Sequence, residues 1–375
     1  MDWVLRELNR LREESLFRER RQIENLKDFC SNDYLGLRDH PEVVGSAVEA
    51  LKRYGLGSGA SQLVSGYTEV HRRLEEELAR FKGTPACVLF GSGYLANVGA
   101  IPVLSGEGDL IVSDELNHAS LIDGCRFSKA DRRIFRHRDY EDLERILKAE
   151  RGKYRRALIV TDSVFSMDGD LADLKALYEL SENYECILYI DDAHATGTIG
   201  EGRGSLREFG LPWKEHVVVM GTLSKALGSY GAFVCASAEL TELLVNRARS
   251  LIFTTSLPPS LCAGALKSLE LIEKNPDMVT RLRTLSERIY RELKALPFKV
   301  HFHGTPIIPL IVGEEAKALN ISRKLLEEGI FLQAIRYPTV PRGSARLRLT
   351  VSLRYSEEDL ELLIEKLKSV VKDTG

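Results

Sequence analysis

Four short apolar runs, ALIVTD (157–162), CILYID (186–191), VVVMG (217–221) and GAFVCA (231–236), leave this chain few ways to fold. Each is largely β-branched or apolar and is bounded by polar residues or glycine, so each reads as a strand buried on both faces. Helical patterns lie between them: in LADLKALYELSENY (171–184), Leu171, Leu174, Leu177 and Tyr178 share one face. Strands alternating with helices predict a mostly parallel sheet covered by helices, the α/β class. Upstream, PEVVGSAVEALKRYG (41–55) opens on proline and closes on glycine, and TEVHRRLEEELARFKG (68–83) runs from a Thr cap to a glycine. Both segments are predicted helices. Near the C-terminus, ARLRLTVSLRY (345–355) alternates, with Leu347, Leu349, Val351 and Leu353 facing one way and Arg346, Arg348, Thr350 and Ser352 the other. A closing helix follows, with Ser356 as N-cap and Leu360, Leu363, Ile364, Leu367 and Val370 as its buried stripe.

A chain of 375 residues exceeds what one core usually covers. The expected division is an N-terminal helical segment at 1–40, a large domain at 41–275 ending near Asn275-Pro276, and a smaller α/β domain at 276–375. With 52 basic and 55 acidic residues, the net charge of −3 gives no electrostatic reason to seek nucleic acid or an anionic membrane. The six cysteines are spread widely with no CxxC pair. They read as reduced core residues of a cytoplasmic protein, and no metal site is expected. The N-terminus alternates charge, and no run of about 18 apolar residues occurs, so neither export nor a membrane span is expected.

Open α/β sheets bind ligands beyond the carboxyl ends of their strands, which directs attention to polar residues that end apolar runs. Lys225 follows VVVMG within GTLSKALG, and Asp191 ends CILYID. A partly desolvated lysine amine forms an imine with an aldehyde, and a buried carboxylate pairs with a protonated pyridine nitrogen. Together they are the minimal apparatus for pyridoxal phosphate (PLP). Gly221, Ser224, Gly228 and Gly231 around the lysine would let a flat ring and a phosphate approach the backbone, with Thr222 and Ser224 offering hydroxyls. Ser92, Gly93 and Tyr94 open a predicted helix and form a candidate phosphate cup. His118, His194 and Ser166 lie in polar loops, and Arg348 offers a planar fork to a carboxylate. Taken singly, each has a plainer reading: a turn aspartate, a solvated lysine or arginine, a loop histidine, a glycine turn. The clusters at 54–61 and 199–205 lack the strand-turn-helix order of a dinucleotide site, which argues against nicotinamide or flavin.

The segments SNDYLGL (31–37), GASQLVSGYTEVHRRLE (59–75), FGSGYLAN (90–97), NHASLIDG (117–124), DSVFSMDGD (162–170), IDDAHATGTIGEGRGS (190–205), GTLSKALG (221–228), FTTSLPP (253–259) and TVPRGSARLRLT (339–350) span nearly the whole chain. In this order they resemble the α-oxoamine synthases, PLP enzymes of the aminotransferase-like fold (fold type I). That resemblance implies a large domain with a mostly parallel sheet and a smaller C-terminal α/β domain. It implies Lys225 as the Schiff-base lysine, Asp191 as the pyridinium partner, His118 as the stacking histidine and His194 as donor to the ring oxygen. Ser166, Thr222, Gly93 and Tyr94 match further cofactor contacts. Asn32 and Arg348 match binders of the substrate carboxylate, and Thr339 matches another substrate contact. VSGYTEVH and TVPRGSARLRL are most similar to members that join alanine to a pimeloyl thioester, carried on coenzyme A or acyl carrier protein, with loss of carbon dioxide in biotin synthesis. For the distal carboxylate of such a chain the candidates are Arg18, Arg20 and Arg21. In relatives FTTSLPP reaches the partner subunit's phosphate, which implies a homodimer with the site at its interface. Three alternatives stay open: a glycine C-acetyltransferase-like or other relative using a different acyl thioester, a fold-related aminotransferase, and a non-catalytic subunit of this fold.

Overall fold

The protein is described by a computed structural model over residues 2–372. The chain forms two compact units: one of residues 33–166 with 170–281, the other of residues up to Asn32, 167–169, and Leu282 onward. The sequence reading sets 1–40 apart as a segment of its own. In the structure residues up to Asn32 group with the C-terminal unit, because Lys27–Asp28 pairs in parallel with Ile330–Phe331 and the Phe29 carbonyl accepts from Thr350 N at 3.0 Å.

The larger unit is built on a seven-stranded sheet: β1 (Ala86–Phe90), β2 (Leu110–Asp114), β3 (Asp131–Phe135), β4 (Ala157–Asp162), β5 (Ile187–Asp191), β6 (Val217–Thr222) and β7 (Ala232–Ala236). Their spatial order is β1-β7-β6-β5-β4-β2-β3. Only β7 runs against its neighbours β1 and β6. Side chains alternate between two covered faces, except on the edge strand β3, where only Phe135 is buried. Ile111, Leu158, Val160, Tyr189, Val218 and Met220 join one core, while Leu110, Val112, Ile159, Leu188, Ile190 and Val219 join the other. Helices Gly93–Leu104 and Ala119–Phe127 cover the first face, and Tyr140–Glu150 and Leu174–Asn183 cover the second. Each leucine or isoleucine buried this way contributes about 2 kcal/mol.

The two predicted upstream helices form as Pro41–Tyr54 and Glu69–Lys82, the latter closed by Gly83 in the left-handed region (φ 70°). The helix expected from residue 171 starts at Leu174. Asp173 caps it by accepting from Lys175 N and Ala176 N, and Leu171 instead bridges to Val164.

The second unit holds a four-stranded antiparallel sheet in the order Ala334–Ile335, Ala345–Thr350, Ile307–Gly313 and Lys299–Val300. The predicted strand at 345–355 leaves the sheet after Thr350, where Tyr355 N closes a turn onto Ser352 O and the Tyr355 hydroxyl donates to Thr350 O. Both of its faces are covered, so Arg346 and Arg348 are buried along with the leucines. Helix Glu357–Lys372 follows. Ser356 caps it reciprocally with Asp359, and the stripe from Leu360 to Val370 is buried as expected.

Candidate active site

Parallel pairing aligns the carboxyl ends of β4, β5 and β6. Asp162 lies beside Asp191, and Asp191 beside Met220, two residues before Thr222. The chain leaves β5 through Asp192-Ala193-His194 and leaves β6 through the turn that carries Lys225. Both turns therefore open at the same edge.

Lys225 Nζ lies 2.8 Å from His194 Nε2, and His194 Nδ1 lies 2.7 Å from the hydroxyl of Tyr34, which is fully buried. This chain has two protonation patterns. As an ammonium, Lys225 donates to Nε2 and Nδ1–H donates to the tyrosine oxygen. As a neutral amine, Lys225 accepts from Nε2–H and Tyr34 donates to Nδ1. In both patterns the lysine, the imidazole and the tyrosine stay hydrogen-bonded to one another. In the sequence Tyr34 carries one signal, its place inside SNDYLGL.

Asp191 is buried, with Oδ2 accepting from Asn97 Nδ2 (2.8 Å) and Oδ1 from Ala193 N (2.9 Å). Asn97 in turn accepts from the Tyr189 hydroxyl (2.9 Å) and donates to Ser120 Oγ (2.8 Å), which lies 2.7 Å from His118 Nδ1. Burial raises the Asp191 pKa, opposed by the Asn97 hydrogen bond and the charge of Lys225. Asp162 is raised well above the carboxylate range, first by burial and then by Asp191 beside it. Its Oδ2 accepts from His118 N at 2.7 Å, which fixes the start of helix Ala119–Phe127. His118 is an exposed residue. Its remaining burial, with Lys225 nearby, lowers its pKa against the opposing pull of Asp191 and Asp123, which favours a neutral imidazole.

Ser92 caps helix Gly93–Leu104 by accepting from Leu95 N, which leaves the first-turn N–H of Gly93 outside the helical ladder. Tyr94 is exposed, and its hydroxyl donates to Asp123 Oδ2 (2.7 Å). Ser166 is half-buried in the loop after β4. The Thr222 and Ser224 hydroxyls are 3.0 Å apart, and both lie within reach of the Gly231 carbonyl (2.9 and 3.1 Å), so they close the lysine's turn on itself. The surrounding glycines also differ from expectation. A methyl group at Gly221 would overlap the Phe233 ring, one at Gly228 the Leu37–Arg38 backbone, and one at Gly231 the Leu257 side chain. Their small size admits protein neighbours rather than an open cradle.

The second unit gathers the remaining candidates. Arg348 donates from both terminal nitrogens to Asn32 Oδ1 (3.2 and 3.3 Å), and Arg18 donates to Thr339 Oγ1 (3.3 Å). Arg18, Arg21, Thr339 and Arg348 line one cavity of about 630 Å³; Arg20 does not. Arg336, absent from the sequence reading, lines it too. Its buried guanidinium is held by the carbonyls of Ser15 and Phe17, and burial, with Arg18 nearby, pulls its pKa down. Glu19 is the one carboxylate among the residues lining this cavity, which is therefore suited to an anion.

The chain belongs to the aminotransferase class I and II family, whose model matches residues 24–367. The fold is the fold-type I, aminotransferase-like one. The chain is 60% identical over 372 residues, covering 99% of both chains, to a protein of Aquifex aeolicus provisionally named 8-amino-7-oxononanoate synthase. It is 48% identical to the 8-amino-7-oxononanoate synthase of Geobacter sulfurreducens over 98% of each chain. Among solved structures, the serine palmitoyltransferase of Sphingomonas wittichii matches at a TM-score of 0.89 and 32% identity, over 93% of this chain and 88% of that one. A variant of the serine palmitoyltransferase of S. paucimobilis with a bound PLP–myriocin aldimine matches at 0.91 and 27%, over 100% and 98%. No helix among the described residues is long and apolar enough to cross a membrane.

Proposed function

We propose that the protein is an 8-amino-7-oxononanoate synthase that joins L-alanine to a pimeloyl thioester and releases carbon dioxide and the free thiol carrier, coenzyme A or acyl carrier protein. The observation that carries the chemistry is the convergence, at adjacent strand ends, of the Lys225 amine on His194 with a buried Asp191 carboxylate held by Asn97. The donor set fits PLP: Lys225 would hold its aldehyde carbon, Asp191 its ring nitrogen, His194 its ring oxygen, and His118 a ring face. Gly93, Tyr94, Ser166 and Thr222 would complete its surroundings. When bound, the group supplies an electron sink for charge developing at the α-carbon of the amino acid. The chain's own part is to bind, orient and move protons. Lys225 takes the α-proton and returns it after decarboxylation, with His194 and Tyr34 adjusting their shared protons. Arg348 and Asn32 orient the amino-acid carboxylate, a proximity effect. Arg18 and Thr339 meet the acyl chain, with Arg18 on its distal carboxylate. The names of the Aquifex and Geobacter relatives, which give 8-amino-7-oxononanoate as the product, support this reading. The working form is a cytoplasmic homodimer with the site at its interface.

Thiol release from a panel of thioesters against alanine, glycine and serine tests the reading. Pimeloyl thioester with alanine is expected to exceed every other pair at least tenfold in kcat/KM. A preference for serine or glycine would replace the substrates, and transamination without thiol release would replace the reaction. Lys225→Ala is expected to abolish turnover and the imine absorbance of the PLP-loaded protein while leaving the protein folded.

A further inference from the structure

The turn that carries Asp191 and His194 is held from behind by a cation and an anion almost sealed from water. The Lys82 side chain, at the end of helix Glu69–Lys82, is 3% exposed, and that of Asp192 is 1% exposed. Lys82 Nζ donates to Asp192 Oδ2 (2.8 Å), Thr196 Oγ1 (3.2 Å) and the Arg203 carbonyl (2.7 Å), which uses all three ammonium protons. Asp192 Oδ2 also accepts from Ser205 N (3.1 Å), and Oδ1 accepts from the Ser205 hydroxyl. The Asp192 N–H donates to Met220 O (2.7 Å), which ties the exit of β5 to the strand leading to Lys225. Gly204, at φ 96°, lies against the pair, and a methyl group there would overlap both Asp192 Oδ2 and Lys82 Nζ.

Burying an ion pair carries a desolvation cost that two apolar side chains of the same volume avoid, so stability alone does not account for this one. What it adds is direction. Lys82 grips the turn at two points, Asp192 and Thr196, and His194 lies midway between them. We propose that Lys82 and Asp192 are the positioning pair of this site: they fix the turn from Asp191 to Thr196 so that His194 meets Lys225 and Asp191 keeps its place at the strand end. This rests on the reading of Asp191 and His194 as working groups, and it adds two residues that act through the turn, their side-chain hydrogen bonds being to protein groups.

The test compares wild type with Lys82→Met/Asp192→Leu, which removes both charges together. Three readouts are taken: thermal unfolding of the cofactor-free protein, water exchange of the His194 ring protons by NMR in that same protein, and kcat and KM. The double variant is expected to fold with a lowered unfolding midpoint, because Ser205 and the Arg203 carbonyl lose partners, to exchange the His194 ring protons at least tenfold faster, and to lose at least tenfold in kcat with less than a twofold change in KM for the amino acid. A folded double variant with wild-type exchange and wild-type kcat overturns the proposal. If the double variant does not fold, Asp192→Asn, which keeps the shape and removes the charge, carries the same readouts with the same criteria. Should wild type turn over none of the thioesters, the proposed reaction falls, while the exchange measurement still decides the positioning role.

Discussion

Asn97 is a polar residue inside a helix whose other buried positions are alanine, glycine, isoleucine and leucine, and its amide is shared among Tyr189, Ser120 and Asp191. Replacing it by leucine keeps the branched outline and strips Asp191 Oδ2 of its side-chain donor. Asn97→Leu is expected to cost about 1–3 kcal/mol in denaturant unfolding, the usual range for a buried acceptor left unpaired. It would also shift Asp191 further towards its protonated form, read as a fall in kcat below neutral pH. Arg348→Lys keeps a positive charge and loses the fork. A rise of at least tenfold in KM for the amino acid, with a smaller change in kcat, is the expected kinetic signature. Asp191, His194 and Lys225 are legible in the sequence because each is a polar group where an apolar strand stops. Asn97 and Tyr34 are not, because their partners lie 94 and 160 positions along the chain and only the folded sheet brings them together.

At the scale of elements, legibility follows local chemistry. The helix from Glu69 to Lys82 is announced by Thr68 and Gly83, and both ends are where those residues put them. The helix after β4 begins three residues late because a short-range aspartate cap at Asp173 outcompetes the hydrophobic period that would have included Leu171. The glycines around Lys225 are visible in the sequence, but which neighbour fills the space is not. Gly228 adopts φ 62° against the backbone of Leu37 and Arg38. Gly228→Ala is therefore expected to destabilise the protein by about 1–3 kcal/mol, the range for a strained backbone position, and to lower its unfolding midpoint. In the C-terminal helix, Leu363 is fully buried. Leu363→Ala should cost about 3 kcal/mol in the same measurement, as cavity-forming leucine truncations do.

For the whole molecule, pH sets a window through His137. Burial works against its charge, but Asp114 on Nδ1 (2.9 Å) and Asp170 on Nε2 (2.8 Å) outweigh that and hold its pKa up at about 9. A raised folded-state pKa contributes stability in full below the unfolded value of about 6.5, and that contribution is lost as pH rises through 9. Unfolding free energy should fall between pH 7 and 10 in wild type and stay flatter in His137→Gln; parallel curves would show that the bridge is not the titrating group. The alternation of strands and helices, and hence the parallel core, is readable from residues 157–236 alone. The strand order is not, because it depends on pairings between segments far apart in the chain. Ala86 at the start of β1 meets Ala236 at the end of β7, the first and last strands of this sheet in chain order. During synthesis, β1 therefore emerges early and waits with a bare edge until the last strand of the sheet leaves the ribosome. A product that ends after Phe90 and before Ala232 keeps that edge unpaired and is a template for aggregation.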